Sequence, residues 1–198
     1  MSTRHFVKPK IKEYFPFPLP FFHVTVEDWP VKKAALEKLV DWKDPGCYFN
    51  DHFTDYHKNL ANDEPYGRPK YLTDFIDILK PELMGIAELL KCNINIKSLW
   101  AQRYWKNNHM RPHTHGIADF SAVLYHEFSS EHQATEFWAP YKNPLTTHDY
   151  VHSPKVKEGD LIIFPSTIIH YAVPNDSDQQ RTIFSFNFRG TDIEFNKE

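Results

Sequence analysis

The sequence changes character at Cys92. From there on, the apolar runs are too short for helices and are cut by Pro, Asn, Asp or Gly: INIKSLWAQRYWK, DFSAVLYHEF, TEFWA, LIIF, TIIHYAV and RTIFSFNFR. In the first of these, alternation puts Ile94, Ile96, Ser98, Trp100, Gln102 and Tyr104 on one face of a strand. Many short strands at close spacing bury their apolar faces by curling into a barrel or jelly roll.

The first 93 residues read differently. FFHVTVEDW (Phe21 to Trp29) alternates as a short strand. DWPVKKAALEKLVDW follows as a helix, with Asp28 as cap, Pro30 in the first turn and Val31, Ala35, Leu39 and Trp42 on one face. Pro45 and Gly46 end it. Cys47 to Pro69 is polar and turn-rich and reads as a long loop covering something. Tyr71 to Lys91 is helical by its apolar spacing, and Pro81 breaks it or starts a second helix. The expected fold is mainly β with flanking helices (α+β): one domain over 1–198. Residues 1–93 form mixed helical support packed outside the barrel, 94–190 the barrel core and 191–198 a tail.

Composition narrows the function classes. The chain has 198 residues, 41% hydrophobic, 16% aromatic and 25% charged, a globular balance with a sizeable core. A net charge of −3 without any Lys/Arg stripe gives no footprint for nucleic acid. The 2 cysteines, Cys47 and Cys92, have no CxxC spacing and fit a reducing cytosol. FPFPLPFF, the nearest thing to a signal-peptide core, is interrupted by Pro16, Pro18 and Pro20, and no run reaches membrane-spanning length. The expectation is a soluble cytoplasmic protein with no nucleic-acid or membrane partner.

RPHTHGIADFSAVLY (Arg111 to Tyr125) is the first stretch that could do chemistry. In an extended strand His113 and His115 point to one side, and Asp119 could reach the same point after a turn through Gly116. Imidazoles with an oxygen ligand suit Fe(II), Mn(II), Ni(II) or Zn(II). With 12 histidines in the chain, an HxH alone is weak. His170 lies mid-strand in EGDLIIFPSTIIHYAVPN, and by itself reads as a hydrogen-bonded core residue. Arg181 follows eleven residues later, a hairpin's length, and opens a strand whose inward face is Arg181, Ile183, Ser185 and Asn187. A guanidinium there is costly unless it meets an anion.

The order HxH, SAVLY, GDLIIFPS…H and R-x-I-x-S-x-N, over about residues 94 to 190, resembles the 2-oxoglutarate- and Fe(II)-dependent oxygenases. It is most similar to a group from marine bacteria and phages with the pattern HxHP…SGVYY…GDLxxFPSxxxH…RxSxSFN. The resemblance implies a double-stranded β-helix, a jelly-roll or cupin-like barrel, with iron at one mouth. It implies His113 and His170 as metal ligands, and Arg181 as the residue holding the far carboxylate of 2-oxoglutarate. Tyr104 and Tyr125 would donate hydroxyls to that co-substrate, and Asn187 would contact substrate or co-substrate. The wider superfamily uses HxD or HxE, so either His115 or Asp119 completes the metal site. The implied activity is hydroxylation with O2, releasing succinate and CO2.

Two other classes stand beside this one. A cupin-like metal-dependent dioxygenase or isomerase without 2-oxoglutarate would use His113, His115, Asp119 and His170 and leave Arg181 dispensable. A non-catalytic jelly-roll binding module would treat the histidines as incidental. The substrate, a small molecule or a side chain, is not encoded in any motif. Cys47 to Pro69 and Ser129 to Tyr150 are expected to border the mouth, and His126, His132, His148 and His152 to be solvated.

Overall fold

Alternation in the second half of the chain is realised as two antiparallel sheets. The computed structural model describes residues 19–44, 48–49, 52–60, 68–116 and 118–192. β1 (Phe22–Thr25), α1 (Trp29–Glu37), β2 (Tyr48–Phe49), β3 (His52–Thr54), α2 (Tyr56–Leu60), α3 (Leu72–Ile78) and α4 (Lys80–Leu90) precede the long β4 (Cys92–Tyr104). After it come β5 (Met110–His113), β6 (Phe120–Glu127), β7 (Glu136–Lys142), β8 (Asp149–His152), β9 (Asp160–Pro165), β10 (Ile169–Ala172) and β11 (Arg181–Asp192). The larger sheet has the order β1-β9-β6-β11-β4-β3-β2, and the smaller β5-β10-β7-β8. Tyr104, Val123, Tyr125, Ile162, Phe164 and Ile183 of the larger sheet share a core with Phe137, Ala172 and Met110 of the smaller.

A second core lies on the opposite side of the larger sheet. Leu99, Ala101, Phe184, Phe186 and Phe188 pack there against Leu36, Val40, Phe75, Leu79, Leu83 and Ile86 of the helical layer. The helices thus sit outside the barrel, as expected. No helix of the described residues is long and apolar enough to cross a membrane.

A bulge changes which residues of β4 face inward. Asn187 pairs with Ser98, but Phe188 pairs with Ile96, so Lys97 is the extra residue. An extra residue reverses the parity of everything beyond it. Ile96 therefore packs toward the helices, while Ser98, Trp100, Gln102 and Tyr104 face the inside. Uninterrupted alternation had placed all of them on one face.

Other expectations need correction for physical reasons. On α1 it is Leu36 that is buried, and Val31 is 73% exposed. Asp28 precedes the helix with φ 51° and makes no side-chain cap; its carbonyl instead accepts the N–H groups of Val31 and Lys32. The segment read as one long loop contributes β2, β3 and α2, with β3 pairing onto β4. Pro81 starts the second helix.

His126, expected in solvent, is 0% exposed, and its Nε2 lies 2.7 Å from Glu37 Oε2. The same acid contacts Arg103, which also reaches Glu127 and stacks on Trp42 at 3.9 Å. This network ties α1 to the outer side of the larger sheet.

Phe184 touches Trp42, Phe75 and His126 at ring distances of 6.1, 5.7 and 5.3 Å. Phe184→Ala is expected to cost about 3–5 kcal/mol, measured as a lower urea midpoint at unchanged slope. A loss below about 1 kcal/mol, the range of a solvent-exposed substitution, would mean the helical layer is not part of the cooperative core.

Candidate metal centre and cavity

β5 and β10 pair antiparallel with His113 directly opposite His170. Directly opposed residues have their Cβ atoms about 4.5–5.5 Å apart, and the two imidazole centroids are 4.4 Å apart. His115 joins them from just beyond the end of β5, with centroids 4.9 and 5.1 Å from His113 and His170. One ring nitrogen from each histidine lies within 4.8 Å of the others, a group able to hold a metal ion. Strand alternation does not bring His115 in, because β5 has ended. The turn is instead wrapped around Ser166: His115 N–H donates to Ser166 O at 2.8 Å, and Ser166 N–H donates to Asp119 O at 3.1 Å. Ser166 Oγ also donates to Ala118 O.

That turn carries Asp119 away from the cluster. Its N–H donates to Phe188 O, and its Oδ2 accepts the Gly190 N–H at 2.9 Å. The carboxylate caps the edge of β11 and is outside the histidine group, so of the two residues weighed for the third position, His115 is the one present.

The rings are desolvated. Burial, followed by the charges of His170 and His113, pushes His115 down to about 3. Burial, followed by the charge of His113, pushes His170 down to about 4, against the opposing bond to Ile168 O. Burial also lowers His113. All three are neutral at neutral pH, the state in which imidazole binds metal. Phe164 and Phe137 close in on His170, with centroids at 4.7 and 6.1 Å.

The cluster opens into a cavity of about 310 Å³ between the sheets. Among the described residues its lining has no Asp, Glu, Lys or Arg; Trp100, Tyr56, Met110 and Phe164 supply apolar wall, and Gln102, Thr54 and Asn187 polar groups. Thr54, Tyr56 and His57 come from the segment read as a covering loop, so its place at the mouth was foreseen although its structure was not. Of Ser129 to Tyr150, only Thr135 reaches the lining.

Tyr104 lines the cavity, and the Arg181 guanidinium stacks on its ring at 4.8 Å. Arg181 is 2% exposed and donates to Gln133 O and Val173 O, both at 2.8 Å. It makes no ion pair among the described residues, and the titratable groups beside it are the phenols of Tyr104 and Tyr125. Burial lowers the guanidinium and raises both phenols, which therefore stay protonated. Tyr125 Oη accepts the Thr135 N–H at 3.2 Å, leaving its own proton to donate. Arg181 lies not on a hairpin with His170 but across the barrel, since β10 and β11 belong to different sheets. Asn187 also lines the cavity, with its amide bonded to Ser98 and Ser121 and 3.5 Å from His115 Nδ1.

A family model described as "Putative 2OG-Fe(II) oxygenase" matches residues 98–187, the stretch that carries the three histidines, Tyr104, Tyr125 and Arg181. The matched stretch is similar to the 2OG-Fe(II) oxygenases over a little less than half of the 198-residue chain. No curated protein matches the chain. Among solved structures it is similar to the viral collagen prolyl hydroxylase vCPH from Paramecium Bursaria Chlorella virus-1 in its 2OG complex, at 13% identity and a TM-score of 0.57, over 86% of this chain and 96% of that one. It is similar to HygX from Streptomyces hygroscopicus with nickel and 2-oxoglutarate bound, at 13% identity and TM-score 0.58, over 86% and 83%. A 2OG-Fe(II) oxygenase family oxidoreductase from Burkholderia pseudomallei aligns at 12% identity and TM-score 0.50 over 62% of this chain. This chain spans 59% of the length of that protein. The shared fold is the double-stranded β-helix.

The depressed histidines give a pH dependence with a definite sign. Their folded values of about 3 and about 4 lie below the ordinary 6.5, so the unfolded chain takes up protons first as pH falls. The stability that the neutral site allows is complete above pH 6.5 and is lost progressively toward the folded values. Metal-free protein should therefore show a falling urea midpoint between neutral pH and about pH 5. Replacing His115 and His170 together by Gln should flatten that slope; an unaltered slope would refute the assignment.

Proposed function

We propose that this protein is an Fe(II)- and 2-oxoglutarate-dependent dioxygenase that hydroxylates a small molecule or a side chain, with release of succinate and CO2. One observation carries the reading: three neutral imidazoles line a cavity, and behind Tyr104 of its wall is a buried arginine that meets no acid among the described residues. In this reading His113, His115 and His170 hold Fe(II). The donor set fits a divalent transition metal, since all three rings are neutral and desolvated. Bound there, Fe(II) supplies the oxidative chemistry in which O2, 2-oxoglutarate and a substrate C–H bond become succinate, CO2 and a hydroxylated product.

The protein's own groups do the rest. Arg181 holds the far carboxylate of 2-oxoglutarate, and the hydroxyls of Tyr104 and Tyr125 donate to it. On β11, Arg181 is four residues from Ser185, which pairs with Trp100 beside His115. Four strand residues span roughly 13 Å, a length that a five-carbon diacid and an arginine side chain bridge together. Phe137 and Phe164 keep water from the innermost imidazole. The lining without charged side chains suits an uncharged part of the substrate, and Trp100 with Tyr56, packed edge to face at 5.2 Å, offers it an aromatic wall. The 2 cysteines without CxxC spacing fit a reducing, cytosolic setting for Fe(II).

Purified protein supplied with Fe(II), ascorbate and 2-oxoglutarate should release succinate even without its substrate, slowly and only with the metal. His170→Ala should abolish the release. Arg181→Ala should weaken 2-oxoglutarate at least about tenfold, as expected from losing a charge-assisted hydrogen bond of about 1.5–3 kcal/mol, with Arg181→Lys intermediate. Metal binding without 2-oxoglutarate affinity, together with an unchanged Arg181→Ala, would overturn the proposal.

A further inference from the structure

Two of the three clustered histidines have Nδ1 tied to a backbone carbonyl two residues upstream. His113 Nδ1 lies 2.7 Å from Arg111 O, and His170 Nδ1 lies 2.9 Å from Ile168 O. A carbonyl only accepts, so in both rings Nδ1 carries the proton and Nε2 keeps its lone pair. His115 lies past the end of β5, and among the described residues the polar group near its Nδ1 is the Asn187 side chain, at 3.5 Å.

Asn187 is 2% exposed and sits in the middle of a row that crosses three strands: Ser121 on β6, Asn187 on β11 and Ser98 on β4 are direct register partners. One end of its amide is 2.7 Å from Ser121 Oγ, and the other is 2.9 Å from Ser98 Oγ. Asn187 and Ser98 are the last inward pair before the β4 bulge. Three buried polar side chains in a row cost stability unless their hydrogen bonds are complete, and apolar residues would fill the space without that cost.

The ends of a carboxamide have nearly the same shape, and a serine hydroxyl both donates and accepts. The same packing therefore admits either end of Asn187 toward His115. With Nδ2 toward the ring, as the structure places it, Nδ1 must accept and the ring proton moves to Nε2, removing one lone pair from the cluster. With Oδ1 toward the ring, it accepts the Nδ1–H of His115 and the hydroxyl of Ser98, while Nδ2 donates to Ser121 Oγ. The row of three side chains stays hydrogen-bonded in either orientation, but only in this one does Nε2 of His115 keep its lone pair like those of the other two rings.

We infer that Asn187, held by Ser98 and Ser121, is a positioning residue that sets the tautomer and orientation of His115, doing with a side chain what backbone carbonyls do for His113 and His170. The inference rests on the metal-site reading above. Its test uses two measurements on the full chain: imidazole tautomers in metal-free protein by long-range 1H–15N NMR, and Mn(II) affinity by calorimetry. The wild type should show His115 as Nδ1–H. Asn187→Leu should lose that preference and bind Mn(II) about 10–100-fold more weakly, the usual cost of removing such a partner. Asn187→Asp, which keeps an acceptor toward the ring, should retain affinity within a few-fold. If the leucine variant does not fold, Asn187→Ser is read in its place. A merely structural Asn187 would lower the melting temperature without moving either quantity. His115 found as Nε2–H in the wild type, or a folded leucine variant with unchanged Mn(II) affinity, would overturn the inference. A wild type that binds no Mn(II) would overturn the metal reading, and the tautomer measurement would still decide whether Asn187 acts on His115.

Discussion

The antiparallel pairing of β5 with β10 is the contact on which the site depends. It sets His113 against His170 across a four-residue edge strand that, among the described residues, pairs with β10 alone. A slip of one residue would turn His170 to the outer face, where Ile169 now lies. The inner position is enforced from three sides: Phe137 is the register partner of His170 on β7, Phe164 packs on its ring from the other sheet, and Ile168 O fixes its Nδ1. Once this pair is set, the turn around Ser166 adds the third ring.

Charge is distributed in the barrel by the same logic of burial. Among the described residues two arginines are almost fully buried, and they differ in their partners. Arg103 faces the helices and meets Glu37, Glu127 and Thr182, a closed network that joins layers. Arg181 faces inward, is bonded to two carbonyls and stacked on a phenol, and meets no acid among the described residues. A buried cation without a counter-ion is costly, and an anionic ligand reaching it would relieve that cost. The three imidazoles are kept neutral by burial and can accept a divalent cation. Together they fit a metal chelated by a diacid, the chemistry of the family whose model matches residues 98–187.

Much of this was legible in the sequence because strand parity is a local property. Arg181, Ile183, Ser185 and Asn187 do share the inward face of β11, and Pro81 does open a helix. The face of β4 was misread because a bulge is defined by the partner strand: nothing in INIKSLW marks Lys97 as the extra residue. The choice between His115 and Asp119 was equally out of reach. It is decided by Ser166, nearly fifty residues away, and by the amide of Gly190. His126 was expected in solvent, and the return of α1 over the sheet buries it. Ser98 and Ser121 carried no local signal, since a serine in a strand becomes informative only when its cross-strand partner is known.

The sequence by itself determined the β-rich second half, the inward face of the last strand and the residue types able to bind a metal and an anion. These follow from periodicity and from chemistry that each side chain carries wherever it lies. Tertiary structure decided which of those residues meet. Register brought His113 to His170, a turn pinned by distant backbone brought His115 in and sent Asp119 out, and a row across three strands put an amide beside the third imidazole. Such contacts join residues tens of positions apart, and their energy exists only once the sheets have closed on each other.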